Sequence, residues 1–276
     1  MKHPSMYLDW YIHVPNVKYD FRSSGTAYFK HNLNLGEVDL SVNYAHGNPE
    51  AVKQIANWYG VKPENVFISS EGASGQNARV VRCLAERDSN RREAIVEFPT
   101  YEPLLRTVQE HFRRVKRLDR RERDAYSLDA DTLRKVASDK TGLLVLTNPH
   151  APSGAISDSR ELEEVTEVAR ECGFNVLCDE IYAEFDRKVV PTIFSVDPEV
   201  GIVTTSFTKA YGLGGLKLGI ILAGKELVDE LYTDVLNTVG TSPNIVQLVA
   251  TELLTKGKEN LLRHKKEWDR LKRQTE

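Results

Sequence analysis

The chemistry of this sequence is concentrated in one stretch, SFTKAYGLGGLKLG, at residues 206–219. Lys209 stands there between hydroxyl residues and a run of glycines, and Lys217 follows eight positions later. An unprotonated lysine amine is a nucleophile toward carbonyl groups, and glycines allow the backbone to approach a ligand closely. The stretch therefore indicates a lysine that meets a small ligand.

Two glycine-rich nucleotide motifs do not fit this stretch. A P-loop needs Gly-Lys followed by a hydroxyl residue, but Leu216 separates Gly215 from Lys217, and Leu218 occupies the hydroxyl position. A dinucleotide fingerprint would need glycine at position 217 and would open the first βα unit. Both nucleotide-binding interpretations are therefore excluded.

The composition favours a small-molecule ligand over a nucleic acid or a membrane. The chain has 276 residues, of which 41% are hydrophobic and 28% charged, as in ordinary globular proteins. Its formal net charge of -3 attracts neither nucleic acid nor an anionic membrane. The most basic segment, residues 110–124, mixes Arg and Lys with Asp and Glu, which favours a solvated surface connection.

Cysteine and histidine usage predicts a cytoplasmic protein without a metal site. Cys83, Cys172 and Cys178 form no CxxC pair, and the N-terminus has no continuous apolar region typical of a signal peptide. No stretch approaches the roughly 20 apolar residues of a membrane span. The seven histidines have no HxxxH or HExxH spacing.

Alternating strand and helix patterns predict an α/β domain with a mainly parallel sheet. Six short apolar runs are typical of doubly buried strands: NVFIS, EAIVEF, GLLVLT, FNVLCD, VGIVTTS and LGIILAG. Between them, residues 48–60 and 158–173 carry helical periodicity with start and stop signals. Ligands of such sheets bind at the carboxyl ends of the strands, so the residues that follow each run matter most.

A small-residue turn follows NVFIS and enters a helix. Backbone N–H groups of Gly72, Ala73 and Ser74 could hold a phosphate there. A nucleophile elbow would need glycine where Gln76 stands, so that alternative fails. A plain turn in which Ser74 only caps the helix remains open.

Four further polar or aromatic residues follow the other strands. Tyr101 could stack on a flat ligand or simply pack, and Asn148 could bind a ligand or belong to an ordinary turn. Asp179 ends a fully apolar strand, which is costly unless the carboxylate has a charged partner, and an arginine elsewhere in the fold could be that partner. Tyr182 would project nearby.

Together these residues suit pyridoxal phosphate. That cofactor has a phosphate, a flat ring, a phenolate oxygen, a ring nitrogen that must stay protonated, and an aldehyde that condenses with lysine.

In this order, the motifs resemble those of fold-type I pyridoxal-phosphate enzymes, specifically the class I/II aminotransferases. SFTKAYGLGGLKLG matches the lysine signature of that family, and DEIY matches its D-E-x-Y motif. NPHAPSG is a looser match, with Ala151 in place of an asparagine. The resemblance implies a three-layer α/β/α fold around a mainly parallel sheet of roughly seven strands.

The resemblance also implies a role for each residue. Lys209 would form the Schiff base and, once freed, move a proton, while Asp179 would pair with the ring nitrogen. Asn148 and Tyr182 would bind the ring oxygen, and Tyr101 would stack on the ring. The residues implied at the phosphate are Gly72, Ala73, Ser74, Ser206 and Lys217.

A homodimer is a further implication of the resemblance. Tyr44 matches the position where this family often sends a tyrosine into the phosphate site of the neighbouring subunit. Gly25 matches a glycine that lines the substrate pocket. Lys217 stands where many relatives have arginine, and an ammonium lacks the bidentate fork, so we expect weaker phosphate binding there.

The resemblance divides the chain into three parts. Residues 1–40 would form an N-terminal arm, residues 41–257 the cofactor-binding large domain, and residues 258–276 the start of a helix that leads to an absent C-terminal small domain. The apolar residues that suggest this helix are Leu261, Leu262, Trp268 and Leu271. Relatives carry the arginine for the substrate α-carboxylate in the absent part.

The predicted function is transfer of an amino group between an amino acid and a 2-oxo acid. A lyase, decarboxylase or synthase that uses the same cofactor stays open, because the motifs leave undecided which bond of the substrate breaks. A shortened cofactor-binding protein with little activity is the third possibility.

Overall fold

The computed structural model describes residues 5–19, 22, 24–26, 31, 33–255, 259, 261, 266, 269 and 270. Within these residues, one sheet has the strand order β1-β7-β6-β5-β4-β2-β3. Its strands are β1 Val66–Ser69, β2 Glu93–Phe98, β3 Arg114–Asp119, β4 Thr141–Thr147, β5 Asn175–Asp179, β6 Gly201–Thr205 and β7 Gly219–Leu222. Only β7 runs antiparallel to its neighbours. The predicted α/β fold with a mainly parallel sheet of about seven strands is confirmed.

All six apolar runs form strands, but the sequence prediction missed β3. This strand lies in residues 110–124, which the mixed charges had indicated as a surface connection. β3 pairs only with β2 at the edge of the sheet, and most of its side chains are partly or fully exposed. An edge strand that faces solvent needs no apolar run, so its sequence carries no such signal.

The helices lie on both faces of this sheet. They are α1 Met6–His13, α2 Pro49–Tyr59, α3 Gly72–Arg87, α4 Glu102–His111, α5 Ala130–Val136, α6 Ser159–Cys172, α7 Ile193–Val196, α8 Lys225–Thr238 and α9 Asn244–Thr255. The predicted ends of α2 are confirmed, since Asn48 caps its start and Gly60, at φ 68°, ends it. In α6, Asp158 accepts from the Glu161 N–H, but the Glu161 carboxylate accepts from Leu128 instead of completing a capping box.

Two apolar cores, one on each face of the sheet, establish the three-layer architecture. Ile68, Leu144 and Leu146 point into the core beneath α2, α6 and α9. Phe67 and Val145 point into the core beneath α3, α4 and α8. Adjacent residues of one strand thus serve opposite cores, which explains the continuous apolar runs.

The ends of the chain are described only in part. Leu261 is fully buried, whereas Leu262, Trp268 and Leu271 lie outside the described residues. The division at residues 40 and 257 therefore stays a prediction. No helix in the described ranges is both long and apolar enough to cross a membrane.

Replacement of a core side chain in β4 tests this architecture. Leu144→Ala should lower the free energy of unfolding by about 2–5 kcal/mol, because Leu144 is fully buried and the loss leaves a cavity. Leu236→Ala is the matched control, since Leu236 on α8 is 45% exposed, and it should cost less than about 1 kcal/mol. Urea denaturation of both variants measures the difference, and equal losses would contradict the described core.

Candidate active site

The carboxyl ends of the parallel strands bring the predicted residues to one edge of the sheet. The turns after β1, β2 and β4 carry Gly72, Tyr101 and Asn148, and β5 ends at Asp179. β6 leads directly into Ser206 and the lysine stretch. This edge is where open α/β sheets bind ligands.

Asp179 is a buried carboxylate without an ion pair among the described residues. Its side chain accepts from Asn77 Nδ2 at 2.7 Å and from the Ile181 N–H at 3.0 Å. Removal from water raises the pKa of this carboxyl, although both hydrogen bonds and the Lys209 charge oppose the rise. The arginine considered from sequence as a structural partner is not found in the described part of the chain. A ligand cation would therefore be favoured beside Asp179.

Asn77 is a site residue that sequence reasoning missed. It lies on α3, is 4% exposed, and accepts from Thr204 Oγ1 while donating to Asp179. Because the Asn77 carbonyl oxygen is engaged by Thr204, its amide must present hydrogens to the carboxylate. A polar residue on the sheet-facing side of an amphipathic helix is the signal that could have revealed it.

Lys209 lies in the turn after β6 with its amine close to Tyr182. Lys209 Nζ donates to Ser24 Oγ at 2.7 Å and is 6.0 Å from the centre of the Tyr182 ring. Burial lowers the pKa of this amine, the positive charge of Lys217 lowers it further, and Asp179 acts in the opposite direction. A larger share of the amine is consequently unprotonated and nucleophilic.

Two tyrosines at this edge of the sheet, Tyr182 and Tyr101, are neutral phenols. Burial raises the pKa of Tyr182, and it raises that of Tyr101 to about 12. Both hydroxyl groups therefore keep their hydrogen at neutral pH and can donate hydrogen bonds. The ring of Tyr7 on α1 meets Tyr101 edge-on, with centroids 5.6 Å apart.

Asn148 is buried and already bonded to the backbone. Its Nδ2 donates to the carbonyls of Ser157 at 3.1 Å and Pro191 at 3.4 Å, and its Oδ1 accepts from the Ser157 N–H at 3.0 Å. The Asn148 N–H also donates to the Asp179 carbonyl at 3.1 Å. Of these, the long bond to Pro191 is the one that a ligand oxygen would most readily replace.

A buried polar cluster holds the loop after β4 against the turn after β2, which carries Tyr101. Burial lowers the pKa of His150 to about 4, so its neutral ring donates from Nε2 to the Pro99 carbonyl at 2.9 Å. Burial raises the pKa of the neighbouring Glu97 to about 7, although Arg120 donates to it at 2.9 Å. These contacts fix the two loops that carry Asn148 and Tyr101.

The start of α3 is suited to bind an anion. Its N-cap residue, Glu71, makes no side-chain capping bond, so the first N–H groups of the helix have no such acceptor. Ser74 is the third residue of α3, and its interpretation as the helix cap is wrong. The Gly72 N–H donates to the carbonyl of Lys217 at 2.6 Å, which brings the Lys217 stretch to this helix end.

Three other predicted residues have different surroundings. Ser206 is fully buried and donates to Thr208 Oγ1 at 2.8 Å. Tyr44 lines a groove beside Leu248 of α9, and Lys209 is not part of that groove. Gly25 lies against Lys209: a Cβ at position 25 would come within 3.3 Å of the Lys209 carbonyl oxygen.

The residues present fit pyridoxal phosphate. Asp179 makes no ion pair in the described chain, α3 lacks a side-chain cap, and the Lys209 amine has a lowered pKa. These three features match the protonated ring nitrogen, the phosphate and the aldehyde of that cofactor. Among the described residues, no group of three or more His, Cys, Asp or Glu side chains could hold a metal ion.

Comparison with known proteins agrees with this fit. Residues 32–276 match the family described as Aminotransferase class I and II. The histidinol-phosphate aminotransferase of Methanococcus maripaludis is 24% identical over 183 residues, which cover 66% of this chain and 48% of that protein. The chain thus spans about half the length of this curated relative.

Solved structures show the same fold. A tetra mutant of the aspartate aminotransferase from Thermus thermophilus superposes with a TM-score of 0.72 at 20% identity, covering 83% of this chain and 64% of that one. A PLP-dependent aminotransferase from Streptococcus suis gives a TM-score of 0.71 at 29% identity, covering 84% and 59%. The fold and the site therefore define a protein of the pyridoxal-phosphate-dependent class, and the chain belongs to the class I and II aminotransferase family.

The raised pKa of Asp179 predicts a pH dependence of stability in cofactor-free protein. The folded state holds the Asp179 proton to higher pH than the unfolded chain does, so wild type should lose stability relative to Asp179→Asn as pH rises. The divergence should begin near the ordinary aspartate pKa, 3.8, and end once the folded-state carboxyl has ionised. Urea denaturation at a series of pH values measures it, and parallel curves would contradict the raised pKa.

Proposed function

We propose that this chain carries the cofactor site of a pyridoxal-phosphate-dependent aminotransferase, which moves an amino group between an amino acid and a 2-oxo acid. The single observation that carries the proposal is the pairing of an amine of lowered pKa, Lys209, with a buried carboxylate that lacks an ion pair in the described chain, Asp179. When bound, pyridoxal phosphate supplies an aldehyde for amines and a protonated ring that withdraws electrons from the substrate α-carbon.

Asp179 keeps a proton on the ring nitrogen in this proposal. Burial makes the charged form of the Asp179 carboxyl unfavourable, and a neighbouring cation reduces this cost. The ionised carboxylate and the protonated ring nitrogen therefore stabilise each other. Asn77 and the Ile181 N–H fix the orientation of the carboxylate.

Lys209 acts first as the nucleophile and then as the group that moves a proton at the substrate α-carbon. Both tasks need a free amine part of the time, and burial together with the Lys217 charge provides it. Tyr182 and Asn148 orient the ring through its oxygen, and Tyr101 packs on the ring face. The start of α3 and Lys217 bind the phosphate.

We further propose that the active assembly is a homodimer in which Tyr44 reaches the phosphate site of the partner subunit. Two observations support it: Tyr44 lines a groove apart from Lys209, and α1 has no buried residue although it is rich in apolar side chains. Met6, Trp10 and Ile12 on α1 are each more than half exposed, as expected of a face that another chain covers. Residues 41–257 would be the cofactor-binding domain.

Reduction with hydride tests the role of Lys209. Purified protein incubated with pyridoxal phosphate and then reduced should carry the label on the peptide that contains Lys209. Lys209→Arg should carry none, because a guanidinium does not condense with the aldehyde under these conditions. Peptide mass spectrometry gives the answer, and a wild-type label on Lys217 or elsewhere would contradict the assignment.

Absorbance separates transamination from the other reactions of this cofactor. Addition of an amino acid should change the spectrum of the bound cofactor, and a 2-oxo acid should restore it. A lyase or decarboxylase would release product without the 2-oxo acid, and a binding protein would show no spectral change. Lys209→Arg is the control for both additions.

Replacement of Lys217 tests the phosphate site. Lys217→Ala should weaken the binding of pyridoxal phosphate about tenfold, because one charge-assisted contact is lost. Lys217→Arg should bind the cofactor at least as tightly as wild type, because the guanidinium adds a bidentate fork, and Lys225→Ala, which removes an exposed lysine paired with Asp229 on α8, is the matched control. Fluorescence titration of cofactor-free protein measures all three, and an equal loss in the control would argue against the assignment.

A further inference from the structure

A short segment near the N-terminus, Ser24 to Thr26, lies directly on Lys209. The Thr26 N–H donates to the Lys209 carbonyl at 2.9 Å, and Thr26 Oγ1 donates to the same oxygen at 3.2 Å. Gly25 passes so close that an added Cβ would be 3.5 Å from the Lys209 Cα. Gly25 and Thr26 therefore fix the backbone of Lys209, but they do not determine where its side chain lies.

Ser24 contacts the side chain. Its hydroxyl oxygen accepts from Lys209 Nζ at 2.7 Å, and Ser24 is near enough to the Tyr182 phenol to lower its pKa. A serine hydroxyl has one hydrogen to donate, and an ammonium or amine donor leaves that hydrogen free. Ser24 thus accepts from the lysine and keeps a hydrogen that it can direct toward the phenol oxygen, which would lower the pKa of Tyr182.

We propose that Ser24 is a positioning residue of this site, whose hydroxyl holds the Lys209 amine on the side of the Tyr182 phenol whenever the amine is not covalently engaged. The inference rests on the proposed roles of Lys209 and Tyr182. Four rotatable bonds give a free lysine side chain many positions, and a 2.7 Å hydrogen bond restricts them to the side of the site that Tyr182 borders.

The arrangement gives Ser24 opposite effects on its two partners. An acceptor beside an ammonium favours the charged form, so Ser24 raises the pKa of Lys209 relative to a site without the hydroxyl. A donor beside a phenol favours the phenolate, so Ser24 lowers the pKa of Tyr182. Loss of the single hydroxyl should shift the two groups in opposite directions, which a general loss of structure would not do.

Ser24→Ala in cofactor-free protein tests this prediction. Competitive acetylation followed by mass spectrometry gives the pKa of the Lys209 amine, which should fall by about one unit, the worth of a charge-assisted hydrogen bond. Ultraviolet titration against Tyr182→Phe isolates the Tyr182 phenol, whose pKa should rise. An unchanged Lys209 pKa, or shifts of the same sign, would overturn the proposal.

Two further variants separate the hydroxyl from the segment that carries it. Ser24→Thr keeps a hydroxyl and should restore both wild-type pKa values. Thr26→Val removes one bond to the Lys209 carbonyl but leaves Ser24 in place, so both values should stay unchanged. If Thr26→Val reproduced the Ser24→Ala shifts, the effect would belong to the backbone contact and the role of Ser24 would be refuted.

The pKa shifts of Lys209 and Tyr182 can be measured without any catalytic activity. Labelling and titration use protein without cofactor, so a failure of the aminotransferase proposal leaves these shifts measurable. Conversely, a hydride label on Lys209 with no Ser24 effect would support the cofactor assignment and reject the positioning role.

Discussion

A carboxylate buried at the end of a central strand is the constraint on which the site depends. Asp179 is 7% exposed, and within the described chain only hydrogen-bond donors without full charge reach it. An acid in this position is unfavourable for the isolated chain, because water solvates a carboxylate far better than two neutral donors do. In the proposed function a cationic ring nitrogen would make the arrangement favourable, so the buried carboxylate would cost folding stability and favour selective binding of the cofactor.

The strands, the helix and the loops around Asp179 are arranged to surround a ligand at this position. The carboxyl ends of the parallel strands lie at one edge of the sheet, so residues far apart in sequence meet where a single flat ligand would bind. α3 serves both ends of it, since its first turn offers N–H groups and its second turn offers Asn77 to Asp179. The buried contacts among Glu97, Arg120 and His150 then prevent the loops of Asn148 and Tyr101 from moving apart.

The sequence predicted the fold class and six of the seven strands, because doubly buried strands must be apolar throughout. β3 was missed because an edge strand is exposed to solvent and can carry charged side chains, so its sequence has no apolar run. The motif residues could be named because their types are tied to chemistry, whereas Asn77 and Ser24 act through a second residue. Such contacts depend on which faces meet in three dimensions, and no local spacing encodes them.

The contact between Thr26 and Lys209 joins residues 183 positions apart. The entropy of closing so long a loop must be offset before the contact forms, so it belongs to the late stages of assembly. During synthesis the N-terminal segment leaves the ribosome first. It can contact Lys209 only after the lysine stretch has also left the ribosome and β6 has joined the sheet. Because burial lowers the pKa of the Lys209 amine, the amine becomes a good nucleophile only after the central sheet exists.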